Sequence, residues 1–534
     1  MNFFSARLAE FGIYADFKGL ISEGANPTLQ IRKTYEFVYW IGYDIGSSSV
    51  KAALIDSETG AETGRVQFPK KEMPIDSPQP GWGEQDPELW WQNTLKATAE
   101  LLQQTGIAAS AVQGIGISYQ MHGLVVVDKS LQVLRPSIIW CDSRAVSIGD
   151  ALLQRVGVEK CREHVLNGPG NFTLSKLIWV KENQPELYKR IYKIMLPGDY
   201  IAMRLSGRCT TTASGLSEGI MWDFTANAPA AWLLEAAGID PGLVPDLVPT
   251  FGEQVRLNEQ AARACGLPAD IPVLYRAGDQ PNNALSLNVM EPGEVAATGG
   301  TSGVVYAVTD TTQTREMNRI NNFAHVNHGS GQPRIGKLLC INGTGIQYSW
   351  MQQQVSDGAD YAEMNRQAAE IPVGSRGLRI YPFGNGAERM LENARVGARI
   401  SQLNFNIHKR PHLYRAALEG IAFAFVYGME ILSGDGVALG KIRAGNDNLF
   451  RARVFSETIT TLTGASIEMV TTTGAAGAAR AAAVAAGAFA SMTEATATDA
   501  VQLTYHPLSK ADPYREAYQA WKNELKHLLK INNE

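Results

Sequence analysis

Two short stretches, 254 residues apart, constrain this chain more than any other feature. One is Tyr43-Asp-Ile-Gly-Ser-Ser-Ser-Val50 and the other is Ala297-Thr-Gly-Gly-Thr-Ser-Gly-Val304. Each reads as a strand, a polar glycine turn and a second strand. The runs Val38–Ile45, Val50–Asp56 and Arg65–Phe68 predict a β-meander opening a mixed sheet. Gly293–Ala297 and Val304–Val308 predict a hairpin around the turn Thr298–Gly303. A unit repeated at half the length of a 534-residue chain implies two domains of similar build. The expected division is an N-terminal extension over residues 1–37, with no assigned role, then domains over 38–288 and 289–534.

Helical patterns are expected over Pro87–Gln104, His412–Leu432, Arg451–Leu462 and Pro513–Ile531, with further strands at Val112–Ser118 and Leu124–Val127. In the extension, Glu10, Asp16 and Lys18 break up any apolar core that a secretory signal would need, and acids argue against a transit peptide. The longest apolar stretch, Gly474–Ala490, is 17 residues interrupted by Arg480 and reads as a close-packed helix, not a membrane span. Five cysteines without C-x-x-C spacing argue against a disulfide framework or zinc ribbon and for a reducing, cytoplasmic setting. The 48 basic residues do not exceed the 53 acidic ones, which speaks against a nucleic-acid partner.

The glycine turns carry chemistry. Successive backbone N–H groups in such a turn form a nest for anions. Ser47 and Ser48 add donors to the first turn and Lys51 adds charge, while Asp44 is placed to hold a hydrated Mg²⁺ against phosphates. Thr301 and Ser302 extend the second turn. No Walker A loop is present at the first turn. Asp279, in Ala277-Gly278-Asp279-Gln280 after the strand Val273–Tyr275, is either a general base at a strand end or an N-cap for a helix beginning at Asn282. Gln120 and His122, in Tyr119-Gln-Met-His-Gly123, could bind polyol hydroxyls. Asp142 and Arg144 form a structural pair or face substrate, and His325-x-x-His328 lacks a third metal ligand and reads as structural.

Several segments in order resemble the FGGY family of carbohydrate kinases, from about Val38 to near Gly487. Lys176-Leu-Ile-Trp-Val-Lys-Glu-Asn183, preceded by Thr173, resembles one family signature, with Asn171 a departure. His412-Leu-Tyr-Arg-Ala-Ala-Leu-Glu419, after Gly397, resembles the other. Gly81-Trp-Gly-Glu-Gln-Asp-Pro-Glu-Leu-Trp-Trp91 is similar to a segment of the ketopentose-specific members, and Trp140-Cys-Asp-Ser-Arg144 to the family's W-N-D-x-R. The resemblance implies an α/β fold of two actin-like (ribonuclease H-like) domains, with mixed sheets flanked by helices, sugar bound on the N-terminal side and ATP on the C-terminal side of a cleft.

By the same resemblance Asp279 is the catalytic base and Asp44 the carboxylate near Mg²⁺ and the transferring phosphate. Met121 and His122 contact sugar, with Gln120 and Gln280 beside them. Ser47, Ser48, Lys51, Gly300, Thr301, Gly343, Gln347, Gly445, Asn446 and Asn448 serve the nucleotide. Arg443-Ala-Gly-Asn-Asp-Asn448 departs from the family's G-G-G-A run, Gly386-Ala-Glu-Arg-Met-Leu391 from its S-G-E-R-T-P, and Gln280-Pro-Asn-Asn283 is unusual after the base. The expected reaction is ATP-dependent phosphorylation of a ketopentose, D-xylulose to D-xylulose 5-phosphate. Ribulose, gluconate or glycerol as acceptor, and a non-kinase actin- or chaperone-like ATP-binding protein, are the alternatives. Sugar and ATP are the expected partners, and a homodimer is left open.

Overall fold

The computed structural model describes residues 37–329, 331–446 and 448–531. Apart from Phe37, the expected N-terminal extension lies outside the described residues. The first sheet is built from β1 (Tyr39–Ile45), β2 (Val50–Asp56), β3 (Glu62–Phe68), β4 (Val112–Tyr119), β5 (Phe251–Arg256) and β6 (Pro272–Gly278) in the order β5-β6-β4-β1-β2-β3. The second holds β7 (Val295–Gly299), β8 (Gly303–Thr309), β9 (Asn321–Ala324), β10 (Ile335–Ile341), β11 (Ile442–Gly445), β12 (Ile467–Val470) and β13 (Val501–Tyr505) in the order β9-β10-β8-β7-β11-β12-β13.

The two sheets share a plan. In the first, β1 pairs antiparallel with β2 and β2 with β3, while β1, β4 and β6 run parallel. In the second, β7-β8-β10 repeat the antiparallel meander and β7-β11-β12 the parallel run. The mixed-sheet α/β architecture expected from the repeat is therefore present, and the two glycine turns occupy the same position in each sheet.

Strand alternation decides what meets what. On the first sheet Ile41, Tyr43 and Ile45 pack with Trp90 and Leu101 of α1 (Pro87–Thr105) and Tyr200 and Leu205 of α2 (Pro197–Ser206). Trp40 and Ala53, on the opposite face, pack with Ala475, Ala479 and Ala482 of α5 (Gly474–Ala485). Before α5 in the chain come α3 (Asp279–Ser286) and α4 (Arg410–Gly434), and Asp279 is thus the first residue of a helix that begins three residues earlier than expected. Helix α5 ends at Ala485, not Ala490. Arg480 is buried in it because its guanidinium is fully occupied, by the Gly60 carbonyl at 3.0 Å, Thr472 Oγ1 at 3.2 Å and the Asp499 carboxylate at 2.5 and 2.7 Å.

Helix α4 is the one described helix long and apolar enough to cross a membrane. It lies in the core under the second sheet, with Leu418, Ile421 and Phe425 against Val305, Leu339 and Ile442. The other face of that sheet, through Ala296, Tyr306 and Leu338, joins a core with Met121, Leu174 and Leu216 from the N-terminal half. The halves thus share buried apolar surface, which holds their glycine turns in a fixed relation.

Candidate active site

A cavity of about 760 Å³ opens beside the second turn, against Asp44 and Lys51, which flank the first. Asp44, Lys51, Asp279 and Gln280 line it from the first half, with Thr298 and Ser302 from the second turn. Thr472, Thr473 and Gly474, at the start of α5, complete the wall. The pleat explains the convergence. Asp44 pairs with Lys51, and Lys51 with Gln67, so these side chains leave the sheet on the face that α5 covers.

Asp44 at the end of β1 accepts a hydrogen bond from Ser118 Oγ at 3.0 Å and lies 3.6 Å from Lys51 Nζ. Gly474 leaves its other side clear: a Cβ there would stand 2.9 Å from Asp44 Oδ2. The first turn is closed by the Gly46 N–H donating to the Ser49 carbonyl at 3.0 Å. Ser47 Oγ accepts from the half-exposed Trp140 indole at 3.3 Å, and Ser48 is exposed.

Asp279 follows Gly278, which is the N-cap, and no side chain caps that helix. The capping alternative for Asp279 is therefore incorrect, and the residue lines the cavity. Burial and the neighbouring Asp44 charge push it up to about 7, against hydrogen bonds from Gln280 that pull it down. A carboxyl poised near neutrality is suited to take a hydroxyl proton.

The second turn is pinned from below. The Gly300 carbonyl accepts from the Gly345 N–H at 2.9 Å and Thr344 Oγ1 at 3.1 Å, and the Thr301 carbonyl from the Ile346 N–H at 3.1 Å. The hydroxyls of Thr301 and Ser302 remain exposed. Gly445 ends β11 beside β7, and the Asn446 N–H donates to the Val470 carbonyl at 2.9 Å while its amide donates to Gln502 at 2.5 Å. The Asn448 side chain lies outside the described residues. The Gly343 N–H is taken by the Glu388 carboxylate at 3.2 Å, and a Cβ there would meet the Pro382 carbonyl oxygen at 1.4 Å, so packing alone requires glycine. Gln347 lines a second cavity of about 450 Å³ with Ile346, Trp350 and Ile380.

Gln120, Met121 and His122 follow β4, and Met121 reaches Gly278, just before Asp279. Both polar ends of the buried Gln120 side chain lack a partner within the described chain. Asp142 and Arg144 prove to be a buried pair, 2.6 Å apart, extended to Glu84 at 2.7 Å and covered by Trp82, 3.7 Å from the guanidinium. His325 bridges the Tyr306 hydroxyl and the Val289 carbonyl at 3.0 and 3.1 Å, as a structural residue should.

Sequence reasoning missed Thr298, Asn283, Thr472 and Thr473 on the cavity wall. A signal existed for Thr473, an N-cap residue whose hydroxyl accepts from the Ala476 N–H at 3.1 Å. Its arrival on the cavity wall depends on α5 crossing to the first sheet, which no local pattern encodes.

Comparison with known proteins supplies the remaining link. Residues 39–286 match the N-terminal domain of the FGGY family of carbohydrate kinases. The xylulose kinase of Bacillus subtilis is 28% identical over 400 residues, 74% of this chain and 77% of its own. That of Haemophilus influenzae is 29% identical over 415 residues, 76% and 82% respectively. The crystal structure of xylulose kinase from Rhodospirillum rubrum superposes with a TM-score of 0.85 at 26% identity, covering 93% of this chain and 100% of that one. The likeness to xylulose kinases extends over most of the chain, and its first half carries the N-terminal domain of the FGGY family of carbohydrate kinases.

Proposed function

We propose that this carbohydrate kinase transfers the γ-phosphoryl group of ATP to the terminal hydroxyl of a ketopentose, D-xylulose in the first place, giving D-xylulose 5-phosphate. The observation that carries the reading is the single cavity lined by Asp44, Lys51 and Asp279 on one side and by the second glycine turn on the other. The acceptor is suggested by the relatives named xylulose kinase, found by sequence and by structure.

In this reading residues 38–288 form the sugar-side domain and 289–534 the nucleotide-side domain. Sugar lies against Gln120, Met121, His122 and Gln280. Asp279 takes the proton of the attacking hydroxyl, and Asp44 stands across from it near the transferred phosphate. Phosphoryl transfer asks mainly for alignment and charge neutralisation. Lys51 supplies positive charge, and the turns at Ser47–Ser48 and Gly300–Thr301 supply N–H and hydroxyl donors. Gly343, Gln347, Gly445, Asn446 and Asn448 flank the path of the nucleotide.

The donor set suits Mg²⁺. Asp44 offers an oxygen kept clear by Gly474, and no group of three His, Cys, Asp or Glu residues forms among the described residues. Such an ion is shared between one or two carboxylates, phosphate oxygens and water. When bound it would neutralise charge on the phosphates.

The test is a panel of ketoses and polyols with MgATP, read by ADP formation and by phosphorus NMR of the product. D-xylulose is expected to give the highest kcat/KM and a phosphate ester at the terminal carbon. Preference for ribulose, gluconate or glycerol would move the acceptor, and ADP formation indifferent to every sugar would overturn the reading.

A further inference from the structure

We infer that Glu218 is a positioning residue for the sugar site, orienting the His122 ring through its main-chain carbonyl and backing Asp279 through its carboxyl group. The inference rests on the sugar-kinase reading above. Glu218 ends the short helix Ala213–Glu218 and is 1% exposed.

The carbonyl contact fixes a proton. His122 Nδ1 lies 2.9 Å from the Glu218 carbonyl oxygen, which can only accept. Burial, with the nearby Lys176 ammonium, lowers His122 to about 3, so the ring is neutral and carries one proton. That proton is on Nδ1, and Nε2 is left as an acceptor. The ring cannot swing away, because Phe172 meets it edge-on at 4.8 Å and Phe323 packs tilted at 5.4 Å. The backbone is held as firmly. His122 has φ 63° and Ile220, two residues past Glu218, has φ 59°, a left-handed conformation that non-glycine residues keep only under constraint. Lys176 Nζ supplies one constraint, donating to the His122 and Ile139 carbonyls at 2.9 Å each. An Nε2 acceptor suits a ligand that brings a hydroxyl to it, as a ketose or polyol does.

The carboxyl group packs against Gly278. A Cβ on Gly278 would lie 2.6 Å from Glu218 Oε2 and 2.7 Å from Met121 Cγ, so Glu218 and Met121 both pack on Gly278, one residue before Asp279. Neither carboxyl oxygen makes a hydrogen bond of ordinary geometry within the described chain; the Tyr119 hydroxyl, also unpartnered, comes within interacting range. Burial, offset in part by Tyr119 and reinforced by the Asp279 charge, raises this carboxyl well above the usual range. A side chain of this size supports Gly278, one residue before Asp279.

The experiment compares wild type, Glu218→Ala and Glu218→Gln with MgATP and D-xylulose. Glu218→Ala is expected to lower kcat/KM for the sugar about 10- to 100-fold, the effect of a slight misplacement of reacting groups, with KM for ATP unchanged. Glu218→Gln, of equal volume and no charge, is expected to restore most of the loss. Wild-type sugar kinetics in Glu218→Ala, an equal rise in KM for ATP, or Glu218→Gln as impaired as Glu218→Ala would each overturn the inference. If wild type phosphorylates no sugar, the functional reading fails by itself. The imidazole ¹⁵N spectrum of His122 in the sugar-free protein then still decides, as it does if Glu218→Ala does not fold. The proton on Nδ1 is expected, and a proton on Nε2 overturns the inference.

Discussion

Asp279 combines two demands that conflict. Placed in a partly enclosed cavity near Asp44, it is pushed up to about 7, where it can act as a base at neutral pH. The same placement weakens the fold. With the folded value raised, the folded chain binds a proton that the unfolded chain releases above about pH 4. The stability tied to the protonated form is complete below about pH 4 and lost as pH rises through about 7. Asp279→Asn is therefore expected to match wild type in thermal midpoint near pH 4 and to exceed it by about 2–4 °C above pH 7, the shift that 1 kcal/mol produces in a large domain. Calorimetry across that pH range checks this, and an equal or lower midpoint at pH 8 would refute it. In wild type, kcat/KM for the sugar should rise with pH through an apparent pKa near 7. The carboxylates were legible as residues, because Asp44 stands at a strand end two residues before Gly46 and Asp279 directly after Gly278. The mutual electrostatic effect was not, since the two lie 235 positions apart in sequence.

At the scale of elements, α5 joins fold to site. Its first residues line the cavity, and its length lies on the first sheet at very short range. A Cβ on Gly116 of β4 would stand 1.9 Å from the Ala478 carbonyl oxygen, and one on Gly42 of β1 2.0 Å from that of Ala475. Any side chain there lifts the helix. Gly116→Ala is expected to cost about 2–3 kcal/mol by urea unfolding, in the range of overpacked cores, and to lower turnover because Thr473 and Gly474 move. An unchanged unfolding midpoint would contradict this packing. Arg480→Ala is expected to cost about 3 kcal/mol or more, since it leaves Asp499 and the Gly60 carbonyl without their buried partner. The Ala/Gly run was readable as a close-packed helix. Its end at Ala485 was not, because small residues continue to Ala490 and local composition carries no stop before Gly487.

The whole molecule shows why half of its plan could be read in advance. A hairpin with a polar glycine turn is a local object, so the units at Gly46 and Gly300 were visible, as were the meander and the long closing helices. The parallel strands β6, β11 and β12 join the sheets through distant segments, and the core shared by Met121, Leu216 and Tyr306 forms only when both halves fold together. Contacts of the second kind place Gly474 beside Asp44 and Glu218 behind Gly278, and both escaped the sequence. The central claim is that this shared cavity hosts base-assisted phosphoryl transfer to a sugar. Its most direct test is D-xylulose-dependent ADP formation by folded Asp279→Asn beside wild type, both with MgATP. A fall in kcat of about 10²-fold or more, with KM for ATP little changed, is the predicted result. Turnover close to wild type in the folded variant would contradict it.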